Sequence, residues 1–256
     1  MTGPVVLEVC VDSAASAIAA ERGGAQRVEL CSDLLEGGIT PSNGLLQVVR
    51  SRVSIPVHVI IRPRPGDFVY SDDEFECMRR DIEIARNEGA NGVVLGLLKQ
   101  GGVVDVERTG ELVELARPVS CTYHRAFDMS ANLDQALEDV CLTGADRILT
   151  SGGEQECLQG IPALARLVEA SHGRVKIMAA GKIGVQNVAT IIEQTGVSEI
   201  HAGLATPVSF VQQNSRVLSL GKAADREFQR TQVLEESVRS LVREISATAQ
   251  GMHRGS

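Results

Sequence analysis

The chain has 256 residues, 43% hydrophobic and 23% charged, with a formal net charge of −8. That balance describes a folded, soluble protein with a sizeable core and excludes a disordered or fibrous chain. An acidic surplus with no strongly basic stretch argues against nucleic-acid binding, and with no Trp, two Tyr and five Phe there are few platforms for stacking bases or sugars. No apolar run reaches transmembrane length, and the opening TGPVVLEVC meets a glutamate before a signal-peptide core develops, so no membrane partner is expected. Six widely spaced cysteines (10, 31, 77, 121, 141 and 157) include no C-x-x-C, which suits reduced thiols in the cytoplasm.

The predicted elements begin with a short pattern that occurs twice, VVLEVC ending at Cys10 and AQRVELC ending at Cys31. Between the two strands, Asp12 and Ser13 suit a helix N-cap, Ala14, Ile18 and Ala19 fall at roughly helical spacing, and Gly23-Gly24 gives a stop. Strand, helix, strand is a βαβ unit, the element of parallel sheets. A Gly/Pro loop and the helix LLQVVRSRV follow, then the strand VHVII (57–61) and the eleven-residue loop RPRPGDFVYSD. DEFECMRRDIEIARNEGA carries Phe75, Met78, Ile82 and Ala85 at helical spacing and closes near Gly89.

The alternation continues with GVVLGLL (92–98), a helix ending ELVELA, VSCTY (119–123) leading into HRAFD, and a helix with Leu133, Leu137 and Val140 inward. DRILT, a helix starting IPALA, RVKIMAA, VQNVATIIEQTG and VSEIHAG complete eight strands by about residue 203. Near-equal units of roughly 22 to 35 residues predict a single-domain α/β fold, a (β/α)8 TIM-type barrel over 1–248, with a doubly wound sheet as the alternative. Residues 204–225 are expected to form an irregular excursion, REFQRTQVLEESVRSLVREISATA the eighth helix, and 249–256 a disordered tail.

The carboxyl ends of barrel strands carry function. They collect Glu8 and Cys10, Glu29 and Cys31, His58 and Arg62, His124, Arg125 and Asp128, Ser151, and Glu199 with His201. Strand parity puts Glu8/Cys10, Glu29/Cys31, His58/Arg62 and Glu199/His201 on shared faces. A glutamate in the middle of an apolar strand needs a partner, a proton or water, so a polar pocket in the barrel mouth is expected.

Three readings fit such a pocket. The first is acid/base chemistry on a small anionic, phosphate- or carboxylate-bearing metabolite, with Glu8, Glu29 and His124 as proton carriers. Arg62, Arg125, Asp128, Lys182 and His201 would bind that ligand, Lys182 from the AAGKIG turn where barrels often hold phosphate. The second is a metal site at Cys10 and Cys31, which lie about 4.8 Å apart if neighbouring strands match in register. Two thiolates favour a soft ion, and Cu(I) accepts two sulfurs where zinc wants four donors. The third is a scaffold that assembles through residues 204–248.

LEVCVDS (7–13), ERGGAQRVELC (21–31), EGGITPS (36–42), IRPRPGDFVYSDDE (61–74), YHRAFDM (123–129), RILTSGG (147–153) and EIHAG (199–203) together resemble the CutC family of copper homeostasis proteins. The resemblance covers nearly the whole presumed barrel. It implies a TIM-type barrel, a cytoplasmic protein that also enters the nucleus, and a homodimer or homotetramer. It also implies copper handling, with Cu(I) bound by Cys10 and Cys31 and no organic cofactor. Where the family pattern after the seventh strand is GGG-I, this chain has Ala180-Gly181-Lys182-Ile183.

Overall fold

The structure is a computed structural model and describes residues 4–208 and 230–254. The chain opens with β1 (Val6–Val11), α1 (Ala14–Gly23), β2 (Arg27–Leu30), α2 (Asn43–Arg50), β3 (Val57–Ile60), α3 (Asp72–Asn87) and β4 (Gly92–Leu95). A short hairpin of β5 (Leu98–Lys99) and β6 (Val103–Val104) precedes α4 (Val106–Ala116), β7 (Ser120–Tyr123), α5 (Leu133–Thr143) and β8 (Arg147–Thr150). Then come α6 (Ile161–Ser171), β9 (Lys176–Ala179), α7 (Val188–Thr195) and β10 (Glu199–Ala202). A second hairpin, β11 (Ala205–Val208) with β12 (Arg230–Val233), leads into α8 (Glu235–Arg254).

The strands β1, β2, β3, β4, β7, β8, β9 and β10 pair in parallel in that order, and β10 returns to β1 to close the barrel. The doubly wound alternative is thereby excluded. Local signals act where the sequence places them. The Ser13 hydroxyl accepts from Ser16 N and starts α1, which Gly24 ends in the left-handed region at φ 96°. Ser71 and Glu74 form a reciprocal capping box on α3, whose Met78, Ile82 and Ala85 are buried.

Strand parity divides the barrel into two environments. Leu7, Val9, Val28, Leu30, Val59, Val93, Ile148 and Ile200 belong to the main apolar core beneath the helices. The alternate positions face the interior, where apolar side chains form only two small clusters: Cys10, Cys31, Ile60 and Val94, and opposite them Leu149, Met178 and Ala180. Several other interior positions carry buried polar side chains: Glu8, Arg27, Glu29, His58, Thr122, Arg147 and Glu199.

At the amino-terminal end of the barrel these groups neutralise one another. Arg27 bridges Glu8 and Glu199, and Arg147 Nε donates to Glu199 Oε2 at 2.9 Å. Arg147 Nη1 also donates to Ser120 Oγ at 2.8 Å, and Lys176 Nζ reaches Glu199 Oε1 at 3.2 Å. Burial alone would raise Glu199, but the two guanidiniums outweigh it and hold its carboxylate below the usual range.

Three expectations about the carboxyl-terminal part change. Arg230–Val233 is a strand, because β-branched Thr231 and Val233 alternate along it and Val233 N donates to Ser16 Oγ at 3.2 Å. The last helix therefore starts at Glu235. It buries Val238, Leu241 and Ile245 against α1, at a close approach where a Cβ on Gly23 would sit 2.5 Å from that of Val238. The helix also runs to Arg254, through most of the expected tail. The excursion predicted over 204–225 begins instead with an ordered strand, β11, and its residues 209–225 lie outside the described residues. Among the described residues no helix is long and apolar enough to cross a membrane.

Replacing Arg27 by Met should leave Glu8 and Glu199 each short of a buried partner. The expected loss is about 3–5 kcal/mol of unfolding free energy in urea denaturation. A loss under about 1 kcal/mol would mean the network adds little to closing the barrel.

Candidate functional site

The site follows from the register between the first two strands. Glu8 lies opposite Arg27 and Cys10 opposite Glu29, so β2 is displaced by two residues from the pairing of like with like. Barrel closure requires such staggering. The two glutamates consequently sit in different layers. Glu8 belongs to the closed ion network below. Glu29, one layer higher, has no guanidinium partner among the described residues and faces a cavity of about 130 Å3 lined by Cys10, Ile60, Arg62, Phe68, His124, Arg125, Leu149 and His201 together with Gly37.

One wall of this cup is acidic and sulfur-bearing. Cys10 Sγ and Cys31 Sγ are 3.6 Å apart, and Cys31 Sγ is 3.4 Å from Glu29 Oε2. Cys10 lines the cavity, whereas Cys31, 1% exposed, lies behind it. A hydrogen bond from Cys31 lowers the Cys10 thiol to about 5 against its burial, while the same bond and burial raise Cys31 well above the thiol range. Burial, then the adjacent Cys10, raise Glu29 well above the carboxylate range. His201 joins the two layers: its Nδ1 is 2.7 Å from Glu8 Oε1 and its Nε2 3.9 Å from Glu29 Oε2. Burial would lower His201, but hydrogen bonds to Cys10 and Glu8 prevail and raise it well above its ordinary value. Glu8, opposed by burial but governed by Arg27 and His201, stays far below the carboxylate range.

The opposite wall presents donors. Arg62 spends Nη1 on the carbonyls of Glu36 and Gly38 and Nη2 on that of Gly66, which leaves its buried Nε–H without a partner. His124 Nδ1 accepts from Ala126 N at 3.2 Å, so the neutral ring carries its proton on Nε2, and that buried atom also lacks a partner. Burial, then the Arg62 charge, lower His124 to about 3 and keep it neutral. Phe68 fixes both groups. Its ring lies 4.9 Å from the imidazole and 5.1 Å from the Arg62 guanidinium carbon. Arg125 stands at the rim, held by Asp128, Ser151 Oγ and the Glu154 carbonyl.

Cys10, Glu29 and Cys31 each offer one donor atom, all within 4.8 Å of one another, so the cup can hold a metal ion. The match to Cu(I) on two cysteines alone is poorer. With metal–sulfur bonds of about 2.3 Å, the 3.6 Å separation subtends roughly 100°. Two-coordinate Cu(I) is linear and needs its sulfurs on opposite sides. A bent pair needs a third donor, and those at hand are the hard carboxylate of Glu29 and the His201 imidazole, which hydrogen bonds to Cys10 and Glu8 already engage.

The model of the CutC family matches residues 5–206. The chain belongs to that family. It is 50% identical over 196 residues to the mouse copper homeostasis protein cutC homolog, covering 77% of this chain and 72% of the relative. The solved structure of a putative copper homeostasis protein CutC from Streptococcus agalactiae is 30% identical, with a TM-score of 0.72, over 77% of this chain and 97% of that one. Phosphoribosylanthranilate isomerase from Thermotoga maritima superposes with a TM-score of 0.58 over 95% of this chain at 11% identity, a likeness of fold alone.

Of the polar residues expected at the strand ends, the cup gathers Cys10, Glu29, Arg62, His124, Arg125 and His201 and leaves others apart. Glu8 is no free proton carrier, because Arg27 and His201 hold its carboxylate. His58 lies deeper, where burial lowers it to about 4 and its Nδ1 is 3.8 Å from Glu8. Asp128 supports Arg125 and accepts from Ser151 N and Gly153 N. Lys182 points away from the cup, its side chain 66% exposed and paired with Glu156. The phosphate-type turn around it is closed by its own bonds, Asn187 accepting from Gly184 N and donating to Lys182 O. Sequence reasoning missed Phe68, Arg27 and Arg147. Phe68 sits in a loop without periodicity, but both arginines share the inward parity of Glu29 or Leu149 and were legible from it.

Buried neutral His124 makes stability fall in acid. Its folded value is depressed, so its contribution is whole above about 6.5 and is lost as the pH falls to about 3, since over that range only the unfolded ring takes up the proton. His124→Asn should remove about 1.4 kcal/mol per pH unit from that decline, read by urea denaturation between pH 6.5 and 4.5. Parallel curves for the two proteins would refute a neutral, buried imidazole.

Proposed function

We propose that the cup is the active site of an enzyme that moves protons on a small oxygen-rich anion, a carboxylate or a phosphate. The observation that carries this reading is the pair of buried donors without partners, Arg62 Nε and His124 Nε2, on two side chains that line the cavity Glu29 enters. Leaving two such groups unsatisfied costs free energy that an acceptor placed in the cup returns. A substrate oxygen placed between them is held by a charge-assisted hydrogen bond and by a neutral imidazole, which polarises without surrendering a proton. Glu29, a carboxyl with no guanidinium partner among the described residues, gives or takes the proton, and His201 passes charge between it and the fixed Glu8 carboxylate. Arg125 at the rim meets the remaining anionic oxygens. The free thiols accord with a cytoplasmic location, where they stay reduced.

A second reading is Cu(I) binding. It is favoured by the copper-homeostasis names of the relatives and by the Cys10, Glu29 and Cys31 cluster. In that reading the thiolates hold the ion and Glu29 completes a bent site.

Two titrations separate the readings. Formate, lactate and inorganic phosphate are titrated calorimetrically against the wild type, Arg62→Met and His124→Ala, and Cu(I) is titrated in competition with a chromophoric chelator. Under the enzyme reading at least one anion binds, and each substitution weakens it about thirtyfold or more, as losing about 2 kcal/mol from a buried charged contact implies. Under the copper reading Cys10→Ser and Cys31→Ser abolish Cu(I) binding and Arg62→Met spares it. No anion binding to the wild type, with stoichiometric Cu(I) lost on removal of either cysteine, would reject the enzyme.

A further inference from the structure

The 130 Å3 cup has room for only about four water-sized groups. It is not the whole of the space. Phe68 and Arg125 belong also to a second, larger hollow of about 600 Å3 on the same face, walled by the 66–69 loop, the β5–β6 hairpin and Met129. The two spaces thus adjoin at these two side chains, and a ligand too long for the cup can extend past them into the larger hollow.

The two spaces differ in chemistry. Every charged side chain on the wall of the outer hollow already has an opposite charge: Asp67 pairs with Arg64 at 3.1 Å, Lys99 with Asp105 at 3.6 Å, and Arg125 with Asp128 at 2.7 Å. The wall then presents the apolar faces of Phe68, Val69, Leu98 and Met129 between glycine backbone at 66, 101 and 102. Met129 is 67% exposed. An apolar surface with its charges internally neutralised, continuous with a cup that offers unpaired donors, is complementary to a ligand with a polar head and an uncharged body.

We propose that the outer hollow is a second subsite of the same site and takes the apolar part of the substrate. The substrate class is then an amphiphilic acid. Its oxygen-bearing head lies between Arg62, His124 and Glu29, and a hydrocarbon chain or ring extends between Phe68 and Arg125 onto Met129. This rests on the reading of the cup as an anion site and adds what that reading lacks, the nature of the remainder of the molecule.

The test is calorimetric titration of straight-chain 2-hydroxycarboxylates of three to eight carbons into the wild type, Met129→Glu and Arg62→Met. In the wild type, affinity should rise about twofold to fourfold per added methylene, the upper figure being that of full burial. Met129→Glu should flatten that rise. Its exposed position keeps the substitution out of the core, and a circular dichroism melt checks the fold. Arg62→Met should weaken every member of the series alike. Wild-type affinity independent of chain length, with the three-carbon acid still bound, overturns the subsite and leaves the anion cup standing. An undiminished rise in Met129→Glu also overturns it. If no member binds, the amphiphilic-acid subsite falls, and the anion reading falls with it only if inorganic phosphate also fails to bind.

Discussion

Everything chemical in this barrel depends on a two-residue offset between its first two strands. Pairing Glu8 with Arg27 and Cys10 with Glu29 sends two glutamates from near-identical sequence patterns into different layers. The lower one enters an ion network of two arginines, a lysine and a second glutamate. The upper one is left among thiols, with His201 its one cationic neighbour among the described residues. Identical side chains thereby acquire opposite states, one fixed as carboxylate by its guanidinium and one held up by burial. A one-layer shift would place both on the same network and empty the cup of its titrating group.

The layers also divide labour. A barrel interior this short of apolar side chains is filled at its amino-terminal end by matched charges rather than by hydrocarbon. Gly92 belongs to this arrangement: a Cβ at that position would meet the His58 ring at 2.6 Å and drive it toward Glu8. Above the matched charges the balance is deliberately incomplete. Arg62 is anchored by three carbonyls through its Nη atoms while its Nε is left over, and His124 is oriented by one backbone amide while its Nε2 is left over. Both are rigidly placed donors waiting on an acceptor, whereas the thiol pair across from them is too acute for a linear metal.

Periodicity made the fold legible, since eight apolar strands and their intervening helices recur along the sequence with recognisable caps at Ser13, Gly24 and Ser71. Parity likewise told which residues share a face. It could not tell which strand residue lies opposite which, because stagger is a property of the closed barrel and not of any one segment. Hence LEVC and VELC read as equivalents when their cysteines occupy successive levels. Lys182 misled for a related reason: a basic residue after a strand marks a place near the mouth but not the direction of its side chain, and at φ 53° this one turns outward to Glu156. Arg230–Val233 read as helix because Val233 fits the α8 stripe, although its β-branched neighbours serve a hairpin.

The closure between β1 and β10 has a consequence for biosynthesis. Val6 to Val9 pair with Glu199 to Ala202, and Glu8 meets His201 across a separation of 193 residues. A nascent polypeptide emerging from the ribosome holds Cys10, Glu29 and Cys31 from the start but lacks Glu199 and His201 until translation is most of the way through. Arg27 spends that interval with one of its two carboxylates missing. Capture of any ligand by the assembled mouth is therefore a late event, reserved for a chain whose first and last barrel strands have already joined.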